Sequence, residues 1–64
     1  KMNKCLLEDG AIILTRFWGG KDRGIRYQLS IYSEYTVLTR SELEHLIDSL
    51  RIALVKDCVL AEAP

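Results

Sequence analysis

The sequence A-I-I-L-T-R-F-W-G-G-K-D-R-G-I-R-Y-Q-L-S-I-Y, residues 11 to 32, decides the fold. Both ends of this stretch are rich in β-branched and aromatic residues, and the second end alternates apolar and polar side chains, as strands do. Between them lies a six-residue loop, 19–24, that contains three glycines. We therefore predict a β-hairpin with strands at about 11–18 and 25–32.

The pairing of these two strands is predicted from the positions of their apolar residues. When Trp18 is placed opposite Ile25, the apolar residues on one face of each strand meet, and only Arg16, opposite Tyr27, does not fit. A register shifted by one residue would bury the other face of the first strand, and this alternative stays open. The two registers bury Ile12, Leu14 and Trp18, or Ile13, Thr15 and Phe17.

Short segments on both sides extend the hairpin. Residues 35–38 are expected to form a third strand, and residues 3–7, before the turn at Asp9-Gly10, are an alternative fourth strand. The fold class is therefore α+β: a three-stranded, or with residues 3–7 a four-stranded, antiparallel meander packed under one C-terminal helix. Residues 1–64 are expected to form a single domain.

The helix is predicted by its capping residues. Thr39-Arg40-Ser41-Glu42 matches a capping box, in which the Thr39 hydroxyl and the Glu42 side chain each accept from the other residue's backbone N–H. The helix runs from 40 to about 56, with 60 as the alternative end. Apolar residues recur on one stripe at helical spacing, which we expect to cover the sheet. This first stripe consists of Leu43, Leu46, Ile47, Leu50, Ala53 and Leu54.

A second apolar stripe, formed by Ile52, Val55 and Val59, lies about half a turn from the first at about 100° per residue. One sheet cannot cover both stripes. A core in so small a domain supplies only about 3–5 kcal/mol of net stability, so further burial is expected. We predict that the second stripe is the interface of a homodimer or a docking face for another protein. The alternative is that the N-terminal segment or the tail folds over it.

Charge is balanced overall but unevenly distributed. Nine basic and nine acidic residues give a formal net charge of zero, which argues against a protein that holds polyanions by overall charge. Residues 16–26 contain four basic residues against Asp22, whereas residues 34–62 contain six acids against three basic residues.

The two cysteines and the short apolar runs indicate the cellular compartment in which the protein lies. Cys5 and Cys58 lack the paired spacing of zinc or redox motifs, and we predict two buried free thiols rather than a disulfide. The apolar runs are shorter than the ~20 residues of a membrane span, and no signal-peptide pattern is present. We therefore expect a cytoplasmic protein that has no contact with the membrane.

Catalytic chemistry is not indicated. The one histidine, His45, lies about 200° around the helix from Leu43 and is expected to be a solvated surface residue. Glu42, Glu44 and Asp48 are explained by capping and by the helix dipole. We predict no catalytic residues, no metal and no cofactor, and therefore no enzyme.

The hairpin loop is the best candidate binding surface. Its glycines can expose backbone N–H groups that favour anions, its arginines suit phosphate or carboxylate, and its tryptophan can stack on a base or an arginine. The alternative is an ordinary hairpin tip, because Asp22 follows Gly20-Lys21 where a phosphate-binding loop needs Ser or Thr. The candidate partner- or anion-binding residues are Arg16, Trp18, Gly19, Gly20, Lys21, Arg23 and Arg26.

Three stretches resemble small uncharacterised proteins encoded by bacteriophages and prophages. They are R-F-W-G-G-x-x-R-G from residue 16, Y-Q-L-S from residue 27, and L-T-R-x-E-L-x-x-L-I-x-x-L from residue 38. The resemblance covers residues 16 to about 50. It implies a small gene product that acts by occupying or sequestering a component of the bacterial host.

Three functions are consistent with these features. The first is a non-enzymatic interaction protein that binds and inhibits a bacterial host protein or defence component. The second is a protein that sequesters a small anionic ligand such as a nucleotide at a dimeric Gly/Arg loop site. The third is a single-stranded nucleic-acid binder, in which Phe17, Trp18, Tyr27 and Tyr32 stack on bases beside the arginines.

Overall fold

The computed structural model describes the backbone of residues 3–62 and the side chains of residues 3–58. Within this range one antiparallel sheet is followed by one helix, so the predicted α+β meander is confirmed and the fourth strand is present. The elements are β1 (Lys4–Asp9), β2 (Ile12–Trp18), β3 (Ile25–Ile31), β4 (Glu34–Leu38) and α1 (Arg40–Glu62), and the strands lie in the order β1-β2-β3-β4.

The hairpin adopts the first of the two predicted registers. Trp18 lies opposite Ile25, Arg16 opposite Tyr27, and Leu38 of β4 also pairs with Tyr27. Residues directly opposite each other in a sheet point to the same side. One side, called the Tyr27 face from here on, is therefore defined by Ile12, Leu14, Arg16, Trp18, Ile25, Tyr27, Leu29, Ile31, Glu34, Thr36 and Leu38, with Lys4, Leu7 and Asp9 of β1 along its edge.

The two turns at the end of the sheet remote from the hairpin loop are bonded to each other. The backbone N–H of Tyr32, in the turn between β3 and β4, donates to the carbonyl oxygen of Ala11, in the turn between β1 and β2, at 2.8 Å. Tyr32 has a φ of 58°, a left-handed conformation that side chains other than glycine, asparagine and aspartate rarely adopt. Its side chain is exposed, so packing does not compensate for this conformation.

The helix begins with the predicted capping box. The Glu42 N–H donates to the Thr39 hydroxyl at 3.0 Å, and the Thr39 N–H donates to the Glu42 carboxylate at 2.9 Å. The first intrahelical bond runs from the Leu43 N–H to the Thr39 carbonyl at 2.9 Å. Two backbone donors that the helix itself leaves unpaired are thus satisfied locally.

The start of α1 is held against the Tyr27 face. Tyr27 is only 5% exposed, and its hydroxyl accepts a hydrogen bond from the Arg40 guanidinium at 3.1 Å. This bond, followed by the one to Glu44, raises the pKa of Arg40 above its ordinary value. Leu43 and Leu46 are half-buried next to this contact. The helix touches β3 and β4 and, within the described residues, no other strand.

Beyond these first turns the helix extends away from the sheet. A helix of 23 residues is about 34 Å long, and a seven-residue strand about 23 Å. The longest dimension of the chain, 53 Å, approaches the sum of these lengths. The prediction that the whole first stripe covers the sheet is therefore wrong, because Ile47, Leu50 and Leu54 lie exposed on the projecting part.

The structure also decides two further predictions, one on the N-terminal segment and one on the cysteines. Within the described residues, Lys4–Asp9 forms the outer strand β1 and does not contact the helix, so this segment does not cover Ile52 and Val55. The end of the tail, the other alternative, lies outside the described residues. The prediction of buried thiols is wrong, because Cys5 lies on that outer strand and Cys58 on the projecting helix, and both are exposed. In the described part of the chain, no helix has the length and apolarity needed to cross a membrane.

We expect Thr39→Ala to lower the free energy of unfolding by about 1 kcal/mol, because the N–H of Glu42 loses its hydroxyl acceptor at the helix start. The control is Ser41→Ala, an exposed position in the same first turn whose hydroxyl takes part in neither capping bond. Chemical denaturation at equal protein concentrations measures both variants. Equal losses for the two variants would contradict a capping role for Thr39.

Candidate functional site

The hairpin loop closes on itself through its own backbone. The Gly19 N–H donates to the Gly24 carbonyl at 2.6 Å, and the N–H groups of Arg23 and Gly24 donate to the Gly20 carbonyl at 3.2 and 2.7 Å. These three donors are therefore engaged within the loop. A nest that binds an anion needs several N–H groups that point outward, and only Gly20, Lys21 and Asp22 can still supply them.

Two of the loop glycines are required by the backbone. Gly20 has a φ of 103°, which lies outside even the left-handed helical region, so any L side chain there would be strained. A Cβ on Gly19 would lie 3.1 Å from the Gly24 carbonyl oxygen, which is closer than ordinary contact. The composition of the loop is thus explained by its closure before any ligand is considered.

Arg26 braces the loop from one side. Its guanidinium donates to the Arg23 carbonyl and, at 3.0 Å, to the Ile25 carbonyl. The side chain is half-buried and pairs across the sheet with Phe17, on the face opposite to Tyr27. Arg26 therefore uses part of its donor capacity to hold the loop.

The candidate residues are divided by the sheet. Arg16 and Trp18 lie on the Tyr27 face, Arg26 lies on the other face, and Lys21 and Arg23 are exposed at the tip. Trp18, Lys21 and Arg23 form what we call the tip surface: a half-exposed indole beside two exposed cations. Gly19 and Gly20 contribute its backbone.

The tip surface is basic. Among the described residues the only ion pair joins Arg40 and Glu44, at 3.1 Å on the helix, so Lys21 and Arg23 have no acidic partner in that part of the chain. An exposed indole with nearby unpaired cations can bind an acidic surface that also offers an apolar pocket. Asp22, also exposed, reduces the local excess of positive charge.

The second stripe forms a separate surface on the projecting helix. Ile52 is 53% exposed and Val55 is 58% exposed, whereas the side chain of Val59 lies outside the described part of the chain. The adjacent members of the first stripe are exposed as well. Two aliphatic stripes of one helix segment thus face solvent.

The sheet contains one further surface that sequence reasoning missed. An open depression of about 570 Å³ lies at the turn between β3 and β4, and it was overlooked because the helix was expected to cover this region. A signal for it is present in the sequence, since Tyr32 lies in the turn and Tyr35 follows it closely on β4. The lining residues are Leu29, Ile31, Tyr32, Ser33, Glu34, Tyr35 and Thr36.

The histidine does not form part of a reactive cluster. His45 is exposed on the helix, and its Nε2 lies 3.4 Å from the Ser49 hydroxyl, a neighbour one turn away. In the region that the structure describes, no group of three His, Cys, Asp or Glu residues could hold a metal ion.

Comparison of the chain with protein-family models, with curated proteins and with solved structures gives no match.

We expect Gly20→Asn to lower the free energy of unfolding by about 1–3 kcal/mol, because no L residue adopts a φ of 103° without strain. The matched control is Gly24→Asn. Its φ of 69° falls in the left-handed region that asparagine tolerates, so the loss there should be below about 1 kcal/mol. Thermal and urea denaturation measure both losses, and the opposite order would refute this account of the loop.

Proposed function

We propose that this chain is a small non-enzymatic interaction protein that works as a homodimer and binds and inhibits a protein of a bacterial host. One observation supports the interaction role above all others. Tyr27 is the only buried side chain among residues 3–58, while large apolar side chains remain exposed on the sheet and on the helix. A chain built in this way gains stability when other surfaces cover it.

The accessible surface area gives the size of the uncovered region. The chain exposes 5513 Å² and has a mass of 7.3 kDa. A compact protein of this mass exposes about 4,200 Å², so the excess is about 1,300 Å². Stable complexes bury about 800 Å² on each partner. The excess therefore suffices for one full interface and leaves further surface for a second contact.

The tip surface is the proposed contact with the host protein. It lies at the hairpin-loop end of the sheet and shares no residue with the two aliphatic stripes of the helix, and its Lys21 and Arg23 are exposed in the loop. Tryptophan and arginine are the residue types that most often dominate binding energy at interfaces. The expected partner surface is acidic around an apolar pocket that admits Trp18. The resemblance to phage proteins supports a partner in the bacterial cytoplasm, such as a defence component.

The loop geometry gives less support to the two ligand-based alternatives. Part of the loop's N–H groups and the Arg26 guanidinium are engaged internally, which reduces what a nucleotide could bind. A single-stranded nucleic acid would need aromatic rings on one open face. Tyr27 is buried and Phe17 lies on the face opposite to Trp18, so the rings do not form such a platform.

We expect the double variant Trp18→Ala, Arg23→Glu to weaken capture of a stoichiometric protein from bacterial lysate by about 30-fold or more, because hot-spot side chains contribute about 2 kcal/mol or more. The matched control is Tyr35→Ala with Lys56→Glu, an exposed aromatic and an exposed cation away from the tip. Tagged protein and quantitative mass spectrometry measure the capture. A partner retained equally by both double variants would refute the tip surface, and no stoichiometric partner for wild type would refute the host interaction.

We expect wild type to sediment as a dimer, and Ile52→Asp with Val55→Asp to sediment as a monomer, because two carboxylates would be desolvated in an apolar contact. The control is Ser49→Asp with Lys56→Asp, on the polar strip between the two helix stripes, which should remain dimeric. Analytical ultracentrifugation over a concentration series measures the association. Monomeric wild type at all concentrations would end the homodimer proposal.

A further inference from the structure

Two uncovered surfaces of this chain match each other in chemistry. The Tyr27 face is open beyond the start of the helix and largely apolar along β2 and β3, apart from Arg16, with Ile12, Ile25 and Ile31 exposed. The projecting helix presents the exposed aliphatic residues of the first stripe. Most of the sheet face is thus not covered by the chain's own helix, and most of the helix does not lie on the chain's own sheet.

The chain cannot join these two surfaces by itself. The Arg40–Tyr27 hydrogen bond and the half-buried Leu43 and Leu46 hold the first turns of α1 at the end of the sheet near the hairpin loop. From there the helix continues away from the sheet, as the 53 Å length of the chain shows. Ile47, Leu50 and Leu54 therefore lie beyond the face that they would fit.

We propose that the Tyr27 face of each copy receives the projecting helix of a second copy, in a reciprocal dimer where Ile47, Leu50 and Leu54 pack on the partner's sheet. This rests on the homodimer proposed above and identifies its second contact. The second stripe, with Ile52 and Val55, then lies against the partner's helix. Each copy gives and receives the same contact, which is the self-complementarity that a two-fold dimer requires.

The dimensions fit this occupant. A helix is about 10 Å across with its side chains, and four strands spaced about 4.8 Å apart span about 14 Å, so one helix covers the face. The depression of about 570 Å³ next to Leu29 and Ile31 lies at the end of the face farthest from the chain's own helix start. It can accept side chains of the incoming first stripe.

Area and charge favour a second copy over an unrelated protein. The excess exposed area of about 1,300 Å² exceeds the roughly 800 Å² that each partner of a stable dimer buries. Residues 40–62 contain five acidic and three basic residues, whereas residues 4–38 contain five basic and four acidic residues. The helix of one copy and the strand-and-loop part of the other therefore carry net charges of opposite sign and attract weakly.

The test uses one substitution on each of the two surfaces. Ile31→Lys alters the Tyr27 face and Leu50→Lys alters the first stripe of the helix. Each is expected to weaken self-association by about tenfold or more, because a lysine charge would be buried in an apolar contact. Val37→Lys is the matched control, since Val37 is as exposed as Ile31, at 39% against 46%, but lies on the opposite face of the sheet. Sedimentation equilibrium measures association, and circular dichroism confirms that each variant is folded.

Mixing the two variants gives the decisive result. In a helix-on-sheet dimer, Leu50→Lys retains an intact sheet and Ile31→Lys retains an intact helix, so the mixture forms a heterodimer with one unaltered contact. We expect the equimolar mixture to associate more strongly than either variant alone. If Ile31→Lys does not fold, Ile12→Lys on β2 takes its place, because Ile12 pairs with Ile31 on the same face.

The outcomes separate this inference from the proposed homodimer. Wild type that is monomeric overturns both. Ile31→Lys that dimerises like wild type, while Ile52→Asp with Val55→Asp does not, leaves a helix-to-helix dimer and overturns the helix-on-sheet contact. A mixture that associates no better than its components overturns it as well. If Val37→Lys weakens the dimer as much as Ile31→Lys does, the receiving face is not the Tyr27 face. That result too would overturn the helix-on-sheet contact.

Discussion

The hydrogen bond between the buried Tyr27 hydroxyl and Arg40 sets the arrangement of the whole chain. Tyr27 lies on the central strand β3, and Arg40 is the first residue of the helix. Together with the capping box at Thr39, this bond fixes where the helix begins and the direction in which it leaves. The sheet stays uncovered because of that direction, since a helix folded back would have covered it.

The interactions that shape one copy differ from those that a second surface would add. Backbone pairing, turns and caps shape the sheet and the helix within one copy. Apolar burial, which supplies most of the stability of ordinary domains, is incomplete within one copy, where Tyr27 is the only buried side chain of residues 3–58 and the other apolar side chains are half-buried or exposed. Such a chain needs other surfaces to complete its core, which fits a protein whose role is binding.

Local features of the fold could be predicted from the sequence, whereas the packing of distant elements could not. The register of Trp18 with Ile25 follows from matching apolar residues on neighbouring strands, and the capping box follows from four consecutive residues. The helix direction depends on a contact between residues 27 and 40 that no periodicity encodes. The same gap explains the exposed Cys5, since burial was inferred from residue type alone. In the hairpin loop, the glycine content predicts a backbone that can adopt unusual φ values. It does not predict that Gly20 accepts two hydrogen bonds within the loop.

The strand order β1-β2-β3-β4 also has a kinetic consequence. Every strand pairs with its neighbour in sequence, so forming the sheet closes only short loops. We expect such a sheet to form faster than one with pairings between distant strands, because its contact order is lower. The proposed joining of two copies would instead be a bimolecular step whose rate rises with concentration. At low expression each newly made chain would therefore exist first as a folded single copy, with its tip surface already formed.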